Sequence, residues 1–151
     1  MNIKTIKDTL GIISRVTISK IADKQLRKDL FNAYLALSKA SKAFDEDIKT
    51  IQEKAFEGID LNTHNELVAK IRKAESKGDN EQVENLAKEI NPDTVKAIRD
   101  FNELYEEKAG EEREIELVKI GTETFVDAMA EQDFAISMQE LETLTLTSIL
   151  K

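Results

Sequence analysis

The sequence predicts a mainly α-helical protein, a helical bundle built on one long helix with a small α/β element at its C-terminal end. Three observations predict this fold class. The chain has 151 residues, close to the usual size of one domain. Apolar residues recur at spacings of three and four, and only one proline and five glycines interrupt them. We expect a single domain over residues 1–151, helical over about 1–110 and mixed over about 111–151.

The long helix is predicted between Ile21 and Phe56. No glycine or proline lies between Asp23 and Glu57, so about 35 residues can form one helix of roughly 50 Å at about 1.5 Å per residue. Such a helix exceeds the width of a compact domain of this size. Its apolar stripe therefore has two interpretations, a face buried in the core or a face shared with another copy. The stripe consists of Leu30, Tyr34, Leu37, Phe44, Ile48 and Ile51.

Four shorter helices are predicted around the long one, each with apolar residues at helical spacing. Asn62 or Thr63 is expected to cap the second of them, because such side chains accept hydrogen bonds from the first free amides of a helix. Pro92 suits the first position of the fourth, where its missing N–H has no partner, and Gly110 ends that helix. The core-facing residues are Ile3, Ile6, Leu10 and Ile13; Leu67, Val68, Ile71 and Ala74; Val83, Leu86, Ala87 and Ile90; and Val95, Ile98, either Phe101 or Asn102, and Tyr105.

The last 40 or so residues are expected to form the mixed element. The segment from Ile115 to Ile120 alternates charged and aliphatic residues and is the best strand candidate. A short helix is predicted from Thr122 to Ala130. The tail fits a partner strand, or a helix that Ser137 and Glu140 begin as a capping box, and we favour the helix.

Charges are distributed unevenly along the chain, whose net charge is −8. Residues 1–44 contain nine basic and three acidic side chains, for a net charge of +6. Residues 45–99 have a net charge of −4 and residues 100–142 a net charge of −11. Either the acidic part meets the basic part of the same chain or of another copy, or both are solvated faces. Nucleic acid is not favoured as a partner, because the acidic residues would repel phosphate.

Several residue types that carry chemistry are rare or missing. The absence of cysteine excludes disulfide frameworks and thiolate metal sites, and no GxGxxG, GxxxxGK or GxSxG motif occurs. We expect no enzymatic activity and no cofactor. No run approaches the ~20 apolar residues of a membrane span, and the first residues lack the apolar block of a secretory signal. The expected location is the cytoplasm, without a membrane partner.

The single histidine is the natural starting point for a metal site. His64 lies near Asp60 and Glu66, and a metal-dependent hydrolase using Asp45, Glu46, Asp60 and His64 is the corresponding function. Neighbouring residues of a helix point in different directions, so the three neighbours Asp45, Glu46 and Asp47 cannot close around one ion. We favour a solvent-facing histidine and expect no metal site.

The order of features along the chain also carries a resemblance. These features are Lys20 to Leu26 before the long helix, the acidic stretch with Phe101, Glu103, Leu104 and Glu107, the segment Glu114 to Leu117, and the tail with Leu141, Leu144 and Leu146. This order resembles a family of small uncharacterised proteins encoded among the virion-morphogenesis genes of phages and prophages. The resemblance implies a non-enzymatic part in phage structure or assembly, in the host cytoplasm or the virion. It implies no active-site residues.

These observations predict a non-enzymatic structural, assembly or interaction module, phage-encoded according to the resemblance. It would act through self-association of helix faces, with the stripe on the long helix as the candidate interface, so the expected partner is another copy or another protein. The alternative is an acidic regulatory protein. In that case the surface from Asp100 to Glu142 would imitate nucleic acid and capture a basic, nucleic-acid-binding protein.

Overall fold

The computed structural model describes residues 1–151 and contains seven α-helices and no strand. This confirms the mainly α-helical fold class. The helices are α1 (Ile3–Ser14), α2 (Lys24–Ala55), α3 (Leu61–Ser76), α4 (Asn80–Lys88), α5 (Pro92–Gly110), α6 (Thr122–Glu131) and α7 (Met138–Leu146), with one 3₁₀ turn at Ile18–Lys20. The predicted long helix is therefore continuous over 32 residues.

The chain forms two compact units. Residues 1–46 and 109–151 make up the first, which we call the terminal unit, and residues 47–108 make up the second, the central unit. That residues 1–151 fold as one domain stays a prediction.

The terminal unit contains most of the buried side chains. Helix α1 packs against α7, and Lys7 on α1 donates from Nζ to Asp45 Oδ1 on α2 over 2.8 Å. The Phe44 ring lies under two cations, with centroid distances of 5.3 Å to Lys7 Nζ and 5.2 Å to Arg113 Cζ. The largest fully buried apolar side chains, all in this unit, are Ile6, Ile21, Leu30, Leu37, Phe125, Met129, Leu144 and Ile149.

The central unit is built differently, from the last turns of α2 together with α3, α4 and α5. Helix α3 packs against α4, and the turn between them contains Gly78, whose φ of 72° favours glycine. Only Leu67, Ala74 and Thr94 are buried in this unit. Helix α4 has no buried residue. The unit therefore covers its apolar side chains only partly.

The sequence predicts the N-cap of α7 correctly and the N-cap of α3 wrongly. Ser137 and Glu140 form the predicted capping box at the start of α7. The prediction that Asn62 or Thr63 caps α3 is wrong, because Asp60 is the N-cap and its Oδ1 accepts from the Thr63 amide over 3.0 Å. A carboxylate in that position satisfies the first helical amides.

The small α/β element predicted at the C-terminal end is wrong. Residues 111–119 are irregular, and the only β-type pairing is one parallel bridge between Ile120 and Leu150. A strand needs a partner with a row of free backbone groups, and α7 uses Met138–Leu146 in helical hydrogen bonds. The remaining tail supplies only a short pairing, in which the Ile120 amide donates to Ile149 over 2.7 Å and the Lys151 amide donates to Ile120 over 3.0 Å.

Helices α6 and α7 confirm the helical expectations for this part of the chain. A search for helices with the length and apolarity needed to cross a lipid bilayer found none.

Candidate interaction site

The six stripe residues on α2 divide into two groups. Leu30 and Leu37 are 0% exposed and Phe44 is 2% exposed, so the chain's own terminal unit covers them. They are core residues here and offer no surface to a partner. Tyr34, Ile48 and Ile51 are only partly buried. The structure thus places part of the predicted interface in the core and leaves the rest partly accessible.

The stripe continues at helical spacing into the central unit and forms one wall of a groove there. The residues Ile51, Lys54, Ala55, Asp100, Phe101 and Leu104 line this groove, which we call the α2/α5 groove. Its volume is about 310 Å³ and its lining is mostly apolar. Phe101 and Leu104 are three residues apart on α5, so their side chains lie on neighbouring turns of one face. The groove can bury an apolar side chain from outside the chain.

Aromatic side chains pack beside the groove, one pair between Phe56 and α5 and one pair within α5. The Phe56 and Phe101 ring centroids are 5.3 Å apart, and those of Phe101 and Tyr105 are 6.4 Å apart. Both pairs are tilted, with interplanar angles of 55° and 44°, a favourable arrangement of ring quadrupoles. Tyr105 and Leu104 are nevertheless each 36% exposed.

The surroundings of the groove are predominantly acidic. Asp100 lines it, and Glu103 and Glu107 follow on the same side of α5 with exposed side chains, whereas Lys54 lines the wall formed by α2. Arg99 pairs with Asp100 at 3.4 Å and with Glu103 at 3.9 Å, in exposed positions where such pairs contribute little. The groove therefore combines an apolar floor with a rim of three carboxylates and one lysine.

A second exposed apolar feature lies on α2 in the terminal unit. Phe31 is 49% exposed and Leu35 is 48% exposed, and they are one turn apart. Together with four exposed lysines they share the side of α2 opposite the buried stripe. We call this surface the lysine face; it consists of Lys24, Lys28, Phe31, Leu35, Lys39 and Lys42.

Sequence reasoning did not assign the groove or the lysine face. The groove depends on Leu104 and Phe101 meeting the end of α2, which periodicity within one helix does not reveal. The lysine face had a signal in the sequence. Phe31 and Leu35 are four residues apart, lie off the main stripe and are surrounded by lysines, which is the pattern of an amphipathic binding face.

A separate cavity surrounds the single histidine. It has a volume of about 430 Å³, and its lining includes Asp60, His64, Glu89 and Asp93. Asp60 is engaged as a cap: Oδ2 accepts from the Thr63 hydroxyl over 2.6 Å. The hydrogen bonds from the Thr63 side chain and amide lower the pKa of Asp60. His64 Nδ1 is buried and has no hydrogen-bond partner.

This cavity does not bring metal ligands together. No group of three or more His, Cys, Asp and Glu residues is arranged to hold a metal ion. Asp45, which the hydrolase hypothesis needs, is instead bound to Lys7. The hydrolase hypothesis therefore has no ligand set in this structure.

Comparison with family models, with curated proteins and with solved structures found no match.

Proposed function

We propose that this protein is a non-enzymatic assembly module that acts by self-association, and that the α2/α5 groove is the surface through which it does so. The observation that carries the proposal is the groove itself, a mostly apolar concavity in a unit that buries few of its own side chains. Apolar concavities on a surface are typical of sites that take up a side chain from a partner.

Apolar side chains at the groove are left partly exposed by the chain. Leu104 and Tyr105 are each 36% exposed next to Phe101, and Ile51 is partly exposed on the opposite wall. Removing such surface from water stabilises an interface by about 25 cal/mol per Å². A second copy of the chain would supply the missing cover without requiring another gene product.

The test is the mass in solution as a function of concentration, measured by multi-angle light scattering. We expect the mass to rise above the 17.1 kDa of one chain as the concentration increases. Leu104→Glu should keep the mass at 17.1 kDa, because it places a charge in the groove. Val95→Glu is the matched control, since Val95 is 47% exposed and lies nine residues away, on the opposite side of α5. A wild-type chain that stays at 17.1 kDa throughout contradicts the proposal.

A second candidate function has its own supporting observation. Eight carboxylates within residues 100–116 have exposed side chains, namely Asp100, Glu103, Glu106 and Glu107 in the central unit and Glu111, Glu112, Glu114 and Glu116 in the terminal unit. This run of negative charge along the chain suits capture of a basic, nucleic-acid-binding protein. Such a module stays at 17.1 kDa alone and binds a basic protein in a salt-sensitive way. The two functions thus give opposite results in the same scattering experiment.

The setting of the assembly belongs to the proposal as well. The resemblance to phage and prophage proteins supports a role in virion morphogenesis, in the host cytoplasm or in the particle. The observation that tests this setting is the identity of the neighbouring genes. Head or tail genes beside this one support it, and metabolic genes on both sides contradict it.

A further inference from the structure

We propose that the α2/α5 groove of one copy takes up the lysine face of α2 from a second copy, so that the copies associate head to tail. This inference rests on the proposed function and makes it specific, because it names both surfaces of the contact. Two different surfaces of one chain would meet, each unlike the other in charge and shape.

The lysine face has the form of a helix that inserts into a groove. Helices that dock in this way present apolar anchors at spacings such as four residues, which is the spacing of Phe31 and Leu35. Each of these side chains is about half exposed, at 49% and 48%. Lys24, Lys28, Lys39 and Lys42 are exposed and form no ion pair within the chain. The face therefore offers an apolar pair framed by four lysines, with the exposed Glu46 at its C-terminal end.

The α2/α5 groove complements the lysine face in apolar surface and in charge. Phe101 and Leu104 provide apolar surface to receive the anchors, and Asp100 with the exposed Glu103 and Glu107 provides negative charge. Pairing two grooves with each other would set these carboxylates against identical ones, which costs free energy. Pairing a groove with a lysine face sets them against lysines, which favours the encounter and fixes its orientation. Charge therefore selects the lysine face over a second groove.

The contact has to form between two copies. Phe31 and Ile51 lie on the same continuous helix, and 20 residues of α-helix separate them by about 30 Å. A continuous helix cannot bring its own lysine face into a groove that contains its own last turns. After pairing, one copy consequently keeps its lysine face free and the other keeps its groove free. Contacts of this type either close into rings or continue as open chains.

The decisive experiment mixes two variants that lack different surfaces. Leu35→Glu removes the lysine face and Leu104→Glu removes the groove, while each variant keeps the other surface intact. Head-to-tail association predicts that neither variant associates alone. It also predicts that an equimolar mixture forms a 1:1 dimer and nothing larger, since only one groove and one face remain functional. Light scattering of each variant and of the mixture measures this directly.

Head-to-tail association also predicts how much each variant weakens binding and how binding depends on salt. Loss of a buried anchor should raise the dissociation constant by on the order of 10- to 100-fold. Raising the salt concentration from about 0.05 to about 0.5 M should weaken the wild-type contact, because exposed charges are screened. Leu35→Gln and Leu104→Gln repeat the experiment without added charge. Circular dichroism of all four variants should match the wild type, since both leucines are partly exposed.

The outcomes distinguish the head-to-tail contact from self-association in general. If the wild type associates and Leu35→Glu associates equally well, the groove pairs with something other than the lysine face, and the head-to-tail inference is overturned while self-association stands. If the mixture of Leu35→Glu and Leu104→Glu stays monomeric although the wild type associates, the inference is equally overturned. A wild type that never associates overturns both the inference and the proposed function.

Discussion

The terminal unit and the central unit contain helices with similar sequence patterns, yet they bury them to different extents. On α2 one stripe runs through both units. Leu30 and Leu37 are completely buried in the terminal unit, whereas Ile48 and Ile51, at the same helical spacing, stay partly exposed in the central unit. Periodicity therefore identifies which side of a helix is apolar. It does not say whether the rest of the chain covers that side.

We attribute this difference in burial to the sequence separation of the helices that pack together in each unit. The terminal unit brings α1 together with α7, which is separated from it by more than a hundred residues. The central unit packs α3 against α4, its neighbour along the chain. Short helices such as α4, with no buried residue, add little apolar area. The terminal unit therefore has a core of long-range contacts, whereas the central unit leaves its apolar side chains only partly covered.

The largest effect is expected from placing a charge in the terminal core. Leu37→Asp puts a carboxylate at a position that is 0% exposed, and an unpaired buried charge should destabilise the fold by on the order of 5 kcal/mol. Denaturant unfolding followed by circular dichroism measures this change. Leu35→Asp is the control two residues away, where the side chain is 48% exposed. At a concentration where light scattering shows a monomer, we expect it to change the free energy of unfolding by no more than about 0.5 kcal/mol. Equal effects at the two positions would refute the assignment of Leu37 to the core.

A second prediction compares the loss of stability when one phenylalanine in each unit is replaced by alanine. Phe125 is 0% exposed in the terminal unit, and Phe125→Ala should cost about 3–5 kcal/mol through lost burial and a residual cavity. Phe101 is only partly buried in the central unit, so Phe101→Ala should cost clearly less, about 1–2 kcal/mol. Both are measured by denaturant unfolding, at a concentration where light scattering shows a monomer. A larger loss for Phe101→Ala would mean that the central unit is the better packed of the two.

Much of the fold follows from local signals in the sequence. The long helix is predicted within a few residues because no glycine or proline interrupts a stripe of three-and-four spacing. The helix starts at Pro92 and Ser137 are predicted because proline and a capping box act within one turn. Each of these signals depends on neighbours along the chain. That is why they can be read without the structure.

The errors concern features that depend on distant parts of the chain. The segment from Ile115 to Ile120 alternates like a strand, but pairing requires a free partner, and the tail is helical from Met138. The α2/α5 groove depends on where α5 meets the end of α2, which no pattern within either helix specifies. The half-exposed pair Phe31 and Leu35 does have a signal in the sequence, because both residues lie off the main stripe and among lysines. That no other part of the chain covers them is visible only in the structure.

The smallest effect concerns the helix caps, one in each unit. Hydrogen bonds from Thr63 lower the pKa of Asp60 at the start of α3, and the hydrogen bond from the Ser137 amide, with help from the nearby Arg15, lowers the pKa of Glu140 at the start of α7. A carboxyl group whose pKa is lower in the folded state stabilises the fold above its unfolded pKa. That contribution is lost as the pH falls through the folded pKa.

Asp60→Asn and Glu140→Gln keep a hydrogen-bond acceptor at each cap but remove the titration. We therefore expect the free energy of unfolding of each variant to change less than that of the wild type between about pH 6 and about pH 3. Denaturant unfolding at both pH values measures the difference. Both carboxylates lie at helix starts and accept amide hydrogen bonds, but only Glu140 is also paired with a cation, Arg15, and it is partly buried. The decrease should therefore be larger for Glu140→Gln than for Asp60→Asn, and equal decreases would show that the local cap alone controls the contribution of such carboxylates.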